Sequence, residues 1–368
     1  MFAKFFDTPT DRGLQQFFIF ATDSILSYRY TERWTNTGSF TVTLPFNAKM
    51  LQKIRINQII NIEDDWLLIQ EIQYDGRIIT ISGTDCKGLL GLRISVFGET
   101  QVAGADGYDV VSGTTKECVR HYLDRNLISP TDSERAMPID FSNAASVPDG
   151  LTNDSYMARL EDLSDIVGKL CDNAGLGYTI KGYKNYESDY VLRFTLLAGT
   201  DRSAQQNARP RVIFSPAWGN VLELSFDHDV GNLYNAIYAT GANTTQPVYR
   251  SSSIPTGLSR RECSVEVSAD TVDELEMFAL YQVQDNTESH TYTLSAAASS
   301  GYGTKYFLGD IVSVKDDYTG NVFSDVITEV EKSVSNNARS IVLTLGRQKP
   351  KLLNRIIQNM INGTTKER

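Results

Sequence analysis

Histidine, clustered cysteine and long apolar runs are all scarce in this sequence. Among 368 residues there are three histidines, at 121, 228 and 290, and no His-Glu-x-x-His motif, so a zinc-hydrolase helix is not expected. The cysteines are widely spaced and none forms a Cys-x-x-Cys pair, which argues against a zinc ribbon or a disulfide framework. We therefore expect free, mostly buried thiols at Cys86, Cys118, Cys171 and Cys263.

Targeting and anchoring segments are missing from the pattern as well. No stretch approaches the ~20 apolar residues of a membrane-spanning helix. The first seven residues lack the apolar core of a signal peptide. The sequence therefore predicts a protein that is made in a cytoplasm, remains soluble there and has no membrane anchor.

An excess of positive charge is also absent. Lysine and arginine total 35 against 45 aspartate and glutamate residues, for a formal net charge of −10. Tight nonspecific binding to nucleic acid, or docking on an anionic membrane, needs a basic surface. The negative charge argues against both kinds of binding. It suits a surface along which nucleic acid moves without binding.

What the sequence does contain is a β pattern towards both ends. Apolar residues make up 41% and charged residues 22%, which is ordinary for a globular protein. Aromatic residues reach 10%, which favours sheets. Short runs with a period of two predict strands within 14–95, 212–238 and 291–345.

Helical patterns lie mainly in the middle of the chain. We predict a helix at 114–127, capped by Thr114 or Thr115, and a helix at 157–174, ended by Gly175. A hairpin is predicted at 177–197. A further helix is predicted at 270–285. An amphipathic helix at about 351–362 either packs on its own domain or docks on a neighbouring subunit.

Three stretches near the start of the chain recur in the same order near its end. Residues 58–65 align with 310–317, so that Ile62 matches Val314, and each copy then turns at an Asp-Asp pair. The next matches are 69–72 with 327–330 and 77–83 with 340–346. Coincidence is the alternative, because period-two patterns are common, but three strands and two turns in order favour a repeated module.

The repeat has a structural and a geometric consequence. In the first matched strands, polar residues such as Asn61 and Ser313 alternate with the apolar ones, which predicts one solvent-exposed face. Three chains with two modules each would present six similar modules around an axis. Such a trimer could stack on a six-fold ring.

Short motifs also follow one another in a set order. The first module carries Arg33-Trp34, Gly38-Ser-Phe40, Leu44-Pro45, Gly83-Thr-Asp85 and Leu89-Leu90-Gly-Leu-Arg93. The last part carries Phe214-Ser215, Gly219-Asn220-Val221, Asn235, Gly241, Arg260-Arg-Glu262 and Leu308-Gly-Asp310. In this order the whole chain resembles the baseplate-hub and tail-hub proteins of tailed phages and of related tail-like particles.

The resemblance implies a mainly β fold with two tail-tube-like β-barrel domains related by the repeat. The domains would be a first barrel at 1–100, an α+β insert at 101–209, a second barrel at 210–348, and a C-terminal helix and tail at 349–368. The resemblance also implies a homotrimeric structural hub, not an enzyme, in the virion at the tail tip or baseplate, assembled in the host cytoplasm.

The implied partners are a hexameric tail tube or distal tail ring on one side and a tip or spike protein on the other. DNA would pass through the centre without specific binding. Three chains of −10 each give −30, and an acidic channel would repel phosphate and help DNA slide.

Motifs that could carry chemistry are weak. The best metal-like cluster, Asp227-His228-Asp229, precedes Val230-Gly231 and is interpreted as a solvated turn. The spacing Gly83 to Gly88 mimics a phosphate loop, but Leu89-Leu90 follows where Lys and Ser or Thr are needed. Gly175-Leu-Gly177 follows a helix instead of opening one, which indicates a cap and not a dinucleotide site. No Gly-x-Ser-x-Gly elbow occurs.

Carboxylates are too numerous for a catalytic pair to be identified. Four of them fall in or near predicted strands and are interpreted as solvated or hairpin-paired: Glu32, Glu71, Asp85 and Glu223. We therefore assign no catalytic, cofactor-binding or metal-ligating residue and expect no cofactor. The alternatives are a β-rich carbohydrate- or host-surface-binding module, with rings such as Tyr183 and Tyr186 for stacking, and a cell-wall hydrolase.

Overall fold

Strands dominate the structure, which confirms a mainly β fold. The computed structural model of the chain describes residues 1–7, 15–96, 109–141, 148–184, 190–241, 245–249, 254–266, 288–297, 300–335 and 338–346, with isolated positions between 272 and 286. The described chain forms two compact units, Met1–Leu224 with Thr293–Leu345, and Ser225–Tyr292.

The first copy of the repeat is an antiparallel sheet near the start of the chain. Its strands are β1 (Ala3–Asp7), β2 (Gln15–Thr22), β3 (Ser27–Arg33), β4 (Ser39–Pro45), β5 (Ile59–Ile62), β6 (Asp65–Tyr74) and β7 (Ile78–Asp85), with the single helical turn α1 (Ala48–Leu51) after β4. They pair in the order β2-β1-β5-β6-β7-β4-β3. In β4 the buried Phe40, Val42 and Leu44 alternate with more exposed residues, as the period-two pattern predicts.

This sheet curls around one core. Inward side chains from β1, β3, β4, β5, β6 and β7 form a single buried cluster. The hydroxyl of Tyr28, on β3, donates to Asp65 Oδ2, at the start of β6, across 2.7 Å. Because β3 and β6 are not neighbours in the sheet, this contact crosses the interior, as in a sheet rolled towards a barrel.

The middle of the chain is α+β, as predicted. It contains β8 (Asp109–Thr114), α2 (Thr115–Leu123), β9 (Ile139–Phe141), β10 (Thr152–Ala158), α3 (Leu163–Asn173), β11 (Leu176–Lys184) and β12 (Tyr190–Ala198). β11 and β12 form the predicted hairpin. β12 also pairs with β2, which joins this part to the first copy.

The two predicted helices differ in accuracy. α2 begins at the predicted cap, because Thr114 and Glu117 form a capping box. The predicted helix at 157–174 starts too early, because Met157 pairs with Val110 in the β10–β8 ladder. Asp162 caps the true start, since its side chain accepts from the backbone N–H of Ser164.

The second unit contains a small sheet of its own. After β13 (Ile213–Phe214) and β14 (Val221–Asp229), the chain forms β15 (Ala236–Thr240), β16 (Thr245–Tyr249) and β17 (Glu262–Glu266), which pair in the order β16-β15-β17. Most of the predicted helix at 270–285 lies outside the described residues. Its described positions Leu275, Ala279 and Val283 are buried in one cluster with Ile237 and Val248.

The second copy of the repeat completes the main sheet. Its remaining strands are β18 (Ser289–Ala296), β19 (Ile311–Lys315), β20 (Val322–Ser335) and β21 (Ala338–Gly346). The pairing order β14-β18-β21-β20-β19 repeats β3-β4-β7-β6-β5 strand for strand. The copies differ at the next strand, because β1 pairs with β5 antiparallel whereas β13 pairs with β19 in parallel.

Backbone register confirms the first two matches of the repeat. The N–H of Ile69 donates to the carbonyl of Gln58 over 2.9 Å, and the matched N–H of Ile327 donates to the carbonyl of Asp310 over the same 2.9 Å. A register shift follows directly after Ile69 in one copy and after Ile327 in the other. The two copies therefore share a β-bulge as well as a strand order.

The third match is wrong by one residue. Ile72 lies opposite Ile81, and its equivalent Val330 lies opposite Leu343. Ile81 therefore corresponds to Leu343, and not to Thr344 as the alignment of 77–83 with 340–346 requires. A slip of one residue exchanges the two faces of a strand, and the structure keeps the leucine in the core.

The predicted exposed face of the first matched strand is also wrong. Asn61 and Ser313 are 6% and 0% exposed, because both faces of β5 and β19 are covered. The side chain of Asn61 donates to the carbonyls of Glu63 and Asp65. The hydroxyl of Ser313 accepts from the N–H of Ala204, so both buried polar groups are satisfied.

The predicted C-terminal helix, at 351–362, lies outside the described residues. The four cysteines are free, and Cys86, Cys118 and Cys171 are buried as expected, while Cys263 is half-buried. Within the described part of the chain, no helix has both the length and the apolar character needed to cross a membrane.

Candidate assembly site at the joint between the two copies

The two copies meet through one strand pair, β3 with β20, which we call the joint. Seven residues of each strand are paired, from Glu329 opposite Arg33 to Ser335 opposite Ser27. Ion pairs follow the ladder on one face, Arg33 with Glu329 and Arg29 with Glu331, each at 2.7 Å. The joint therefore extends the sheet of the first copy directly into the second.

Lys332 lies at the centre of the joint. Its Nζ is 3.0 Å from Glu32 Oε2 and 2.8 Å from Asp65 Oδ1. The side chains of Glu32 and Asp65 are only 13% and 6% exposed. One ammonium group from the second copy thus lies between two buried carboxylates of the first, and the second oxygen of Asp65 accepts from Tyr28.

Burial and charge shift the pKa values of this cluster in different directions. Burial raises the pKa of Asp65, and the neighbouring Lys332 reduces that rise without cancelling it. For Glu32 burial acts upwards too, but Lys332 and Lys181 outweigh it and hold the pKa below its ordinary value. Burial lowers the pKa of Lys332, but Glu32 and Asp65 outweigh it and the net shift is upwards. The cluster therefore keeps Lys332 charged.

A second polar cluster ties the end of β7 to the turn after β3. Asp85 accepts from the N–H of Gly38 at 3.1 Å and from the hydroxyl of Tyr30 at 3.2 Å. The buried Lys87 donates its ammonium to the carbonyl of Asn36 over 3.2 Å. Burial lowers the pKa of Lys87 and raises the pKa of Asp85. Asp85 and Lys87 therefore make contacts within the fold, beside the joint.

Trp34 packs against glycines from two other parts of the chain. A Cβ added to Gly177, on β11, would come within 2.3 Å of the indole, and one added to Gly309 would come within 2.2 Å. The backbone N–H of Trp34 donates to the carbonyl of Thr328 on β20 over 2.9 Å. The indole therefore holds the first copy, the insert and the second copy together.

The remaining carboxylates predicted to be structural are not brought together into a pair. Glu71 accepts from the hydroxyl of Ser82 over 2.8 Å, across the β6–β7 hairpin. Glu223 is exposed on β14. Glu32 and Asp85 belong to the two clusters above.

The glycine motifs have structural roles. Gly83 lies within β7, and Gly88 lies in a 3-10 helix, Cys86–Leu92, whose first turn is capped by Asp85. This is a strand end and a tight turn instead of a phosphate-binding loop. Gly175 follows α3 with a φ of +66°, as expected for a helix terminus.

The metal-like cluster of the sequence is rearranged in the structure. His228 lies in β14 and not in a solvated turn, and the turn begins one residue later, where Asp229 accepts from the N–H of Gly231. The imidazole of His228 faces β18, where Glu288 and His290 lie beside it. Hydrogen bonds from His290 and His228 lower the pKa of Glu288.

The sequence signal for these two extra residues was available but weak. Glu288 and His290 are two positions apart, so a strand places them on one face. Their proximity to His228 could not be read from the sequence, because 60 residues separate His228 from Glu288. The third histidine, His121, lies elsewhere and contacts Asp109 at 2.9 Å.

In the described chain, β14, and β6 beyond Leu68, each have a strand neighbour on one side. β14 ends the strand order, and of its residues only Val221 is buried, with Leu222 70% exposed. In β6, pairing with β5 ends at Leu68, so the stretch from Gln70 to Tyr74 is paired on one side, with β7. Edges of this kind present backbone donors and acceptors to another chain.

The aromatic loop suggested for sugar stacking is only partly described. The ring of Tyr183 is covered by the guanidinium of Arg193, at 3.4 Å from the ring centroid. Tyr186 lies outside the described residues. A guanidinium on the ring face occupies the position that a stacked sugar would need.

Solved structures of phage tail proteins have a similar fold. The 43 kDa tail protein of prophage MuSo2 from Shewanella oneidensis is 13% identical, with a TM-score of 0.52 over 93% of this chain and 97% of that one. The tail protein from Neisseria meningitidis MC58 is also 13% identical, with a TM-score of 0.51 over 94% and 97%. Prophage tail protein gp18 from Listeria monocytogenes EGD-e is 11% identical, with a TM-score of 0.50 over 98% and 99%.

The sequence comparison agrees with the fold. No curated protein matches the chain significantly. A family model does match, over residues 17–255 and 279–347, which is most of the chain and covers most of both copies of the repeat. The chain therefore belongs to the Siphovirus ReqiPepy6 Gp37-like family of phage tail and baseplate proteins.

Proposed function

We propose that this protein is the structural hub subunit at the distal end of a phage or phage-like tail. Three chains would form a pseudo-six-fold ring that joins the tail tube, or a distal tail ring, to the tip or spike protein. The ring would leave a central channel for DNA. The observation that carries this proposal is the geometry of the joint.

The joint is a head-to-tail contact. It brings β3 of the first copy against β20 of the second copy. The strand order makes β6 the equivalent of β20, and β14 the equivalent of β3. If the same contact is repeated between chains, β14 of one chain pairs with β6 of the next. Such heterologous contacts close a ring when the rotation between neighbouring copies returns to the first copy.

Both strands required for this contact have a described strand neighbour on one side. β14 ends the strand order, and β6 is paired with β7 alone beyond Gln70. Glu71 occupies the position on β6 that Glu329 occupies on β20. Since Glu329 pairs with Arg33 inside the joint, Glu71 would face the neighbouring chain. Three contacts of this kind and three joints would place six copies around one axis.

The net charge fits the proposed channel. Three chains of −10 each give −30, and acidic walls repel phosphate and leave DNA free to move. In this proposal the copies, approximately 1–100 and 210–348, form the ring, and the insert at 101–209 lies between them in the chain. The part at 349–368 would contact its own domain or the next component.

We propose a structural role and not an enzymatic one, because the buried carboxylates near the joint form contacts within the protein. Glu32, Asp85 and Asp65 bind lysine ammonium groups or backbone and tyrosine donors at the joint and beside it. In this proposal the protein is a component of the virion that is assembled in the host cytoplasm.

Mass measurement in solution, combined with negative-stain imaging, tests the proposal. The expected result is a three-fold ring with a hole of about 20 Å or more, wide enough for duplex DNA. Leu222→Glu, on β14, should shift the trimer to monomer. Leu258→Glu is the matched control, because Leu258 is fully exposed and lies in a short 3-10 helix that belongs to neither strand.

Two outcomes contradict the proposal. One is a protein that stays monomeric at high concentration and is absent from purified particles. The other is a trimer that Leu222→Glu and Leu258→Glu leave equally intact, because ring closure would then not use β14.

A further inference from the structure

A second cluster of side chains, in the second unit, has the composition of a metal site. The structure brings together His228 on β14, Glu288 immediately before β18, and His290 on β18. Their ligand atoms all lie within 4.8 Å of one another. None of the three takes part in the joint, and the imidazole of His228, on β14, faces His290 on β18.

The geometry follows from two antiparallel strands. Residues two positions apart on a strand share a face, so Glu288 and His290 point the same way. The Nε2 atoms of His228 and His290 lie 2.6 Å and 3.0 Å from one oxygen, Glu288 Oε1. The imidazole centroids are 4.3 Å apart with planes at 64°. Two nitrogens and one carboxylate therefore converge on one point.

Aromatic packing holds this face in position. Phe226 precedes His228 by two residues and stacks on Tyr292, with centroids 4.6 Å apart and planes at 27°. The ring of Phe226 also lies 6.5 Å from His228 and 6.3 Å from His290. The aromatic packing thus limits the motion of the imidazoles, so less conformational entropy is lost when an ion binds.

We propose that His228, Glu288 and His290 bind a first-row transition-metal dication of the zinc type. Two imidazole nitrogens and one carboxylate form a donor set used for Zn²⁺ and related ions, whereas Mg²⁺ and Ca²⁺ favour oxygen ligands. The three side chains are 45%, 47% and 49% exposed, so the ion can enter from solvent and a water can complete its coordination.

Binding requires a change of tautomer but no net chemistry. In the hydrogen-bonded state each Nε2–H donates to Glu288. On binding, each neutral imidazole presents the Nε2 lone pair to the ion and carries its proton on Nδ1. The ion then takes the place of the two protons between the nitrogens and the carboxylate. It would cross-link β14 to β18 and so stabilise this part of the second unit.

Calorimetric titration of the full chain with Zn²⁺ alone tests the site. The wild type should bind one ion per chain and unfold at a higher temperature with Zn²⁺ than without. His228→Gln, His290→Gln and Glu288→Gln should each weaken binding by about 10-fold or more. His121→Gln is the matched control, because His121 contacts Asp109 in another part of the fold, and it should bind as the wild type does.

Circular dichroism of each variant without zinc establishes that the fold is retained, which is expected because the three side chains are about half exposed. The proposal is overturned if the wild type does not bind Zn²⁺, or if it binds with an affinity that all three variants share. Oligomeric state is measured separately, so the two proposals can fail independently. A trimer that does not bind zinc would contradict only the metal site. A monomer that binds zinc would contradict only the hub.

Discussion

The ammonium of Lys332, on β20, lies 2.8 Å from the carboxylate of Asp65, at the start of β6, although 267 residues separate them in the chain. The same ammonium lies 3.0 Å from Glu32 on β3. A single ammonium group of the second copy therefore binds two buried carboxylates of the first. The joint is held by charge as well as by backbone pairing.

Lys332→Met tests the role of this cation. It should lower the free energy of unfolding by about 3–5 kcal/mol, because Glu32 and Asp65 would remain buried without the ammonium that lies between them. Urea unfolding at neutral pH measures the change. Adding Glu32→Gln and Asp65→Asn should restore part of the loss, since neutral side chains no longer need the ammonium.

The matched control is Arg29→Met on the other face of the same ladder. Arg29 pairs with Glu331, but their side chains are 67% and 25% exposed, so the loss should stay within about 1 kcal/mol. Equal losses for the two variants would show that charge burial at Lys332 contributes nothing beyond a surface pair.

Gly177→Ala should destabilise the protein through Trp34. The added Cβ would come within 2.3 Å of the indole, and overpacking of this kind costs about 1–3 kcal/mol. Thermal or urea unfolding measures the loss, and a second substitution, Trp34→Leu, should make Gly177→Ala less damaging by removing the ring. Gly91→Ala is the control, because its nearest neighbour would be 3.7 Å from the new Cβ. A Gly177→Ala variant as stable as Gly91→Ala would contradict the proposed packing.

Local signals in the sequence predicted local structure well. The cap at Thr114 and the hairpin at 177–197 depend on residues that lie close together in the chain, and both are confirmed. The repeat was found because strand order, turn residues and apolar spacing agree in both copies. Its third strand was misaligned because the match set Gly83 against Gly346, whereas pairing with the equivalent Ile69 and Ile327 sets Gly83 against Leu345.

Contacts between distant residues could not be predicted in the same way. Asn61 and Ser313 looked solvent-facing because one strand does not reveal what covers its second face, yet both are buried. The sequence did not predict that Trp34 packs against two glycines, or that His228 lies beside Glu288. In each case the partner is fixed by the pairing of strands far apart in the chain, which depends on the whole fold.

High pH should weaken the fold through buried tyrosines. Burial raises the pKa of Tyr28, Tyr30 and Tyr178 above the ordinary value of 10.0. A raised pKa favours the neutral phenol in the folded state. The contribution of each tyrosine to the free energy of unfolding is therefore complete below pH 10 and is lost as the pH rises above 10. Each ring should cost about 1.4 kcal/mol per pH unit in that range.

Alkaline unfolding, followed by tyrosinate absorbance and by urea titration at several pH values, measures this effect. Tyr30→Phe should reduce the pH dependence above pH 10. Tyr318→Phe should not, because Tyr318 is 92% exposed. If all tyrosines of the wild type ionise together near their ordinary pKa while the protein stays folded, the three rings are not buried and the prediction is wrong.

Equivalent positions of the two copies should respond alike to a buried charge. Ile62 and Val314 are matched by the repeat and are 0% and 1% exposed. Ile62→Asp and Val314→Asp should each cost several kcal/mol, because an unpaired carboxylate would be placed in an apolar core. Val322→Asp is the matched control, since Val322 lies on β20 beside the same strand but is 46% exposed. Urea unfolding of the three variants compares them, and a neutral effect at either matched position would mean that the two copies do not share a core and that the repeat is not a structural one.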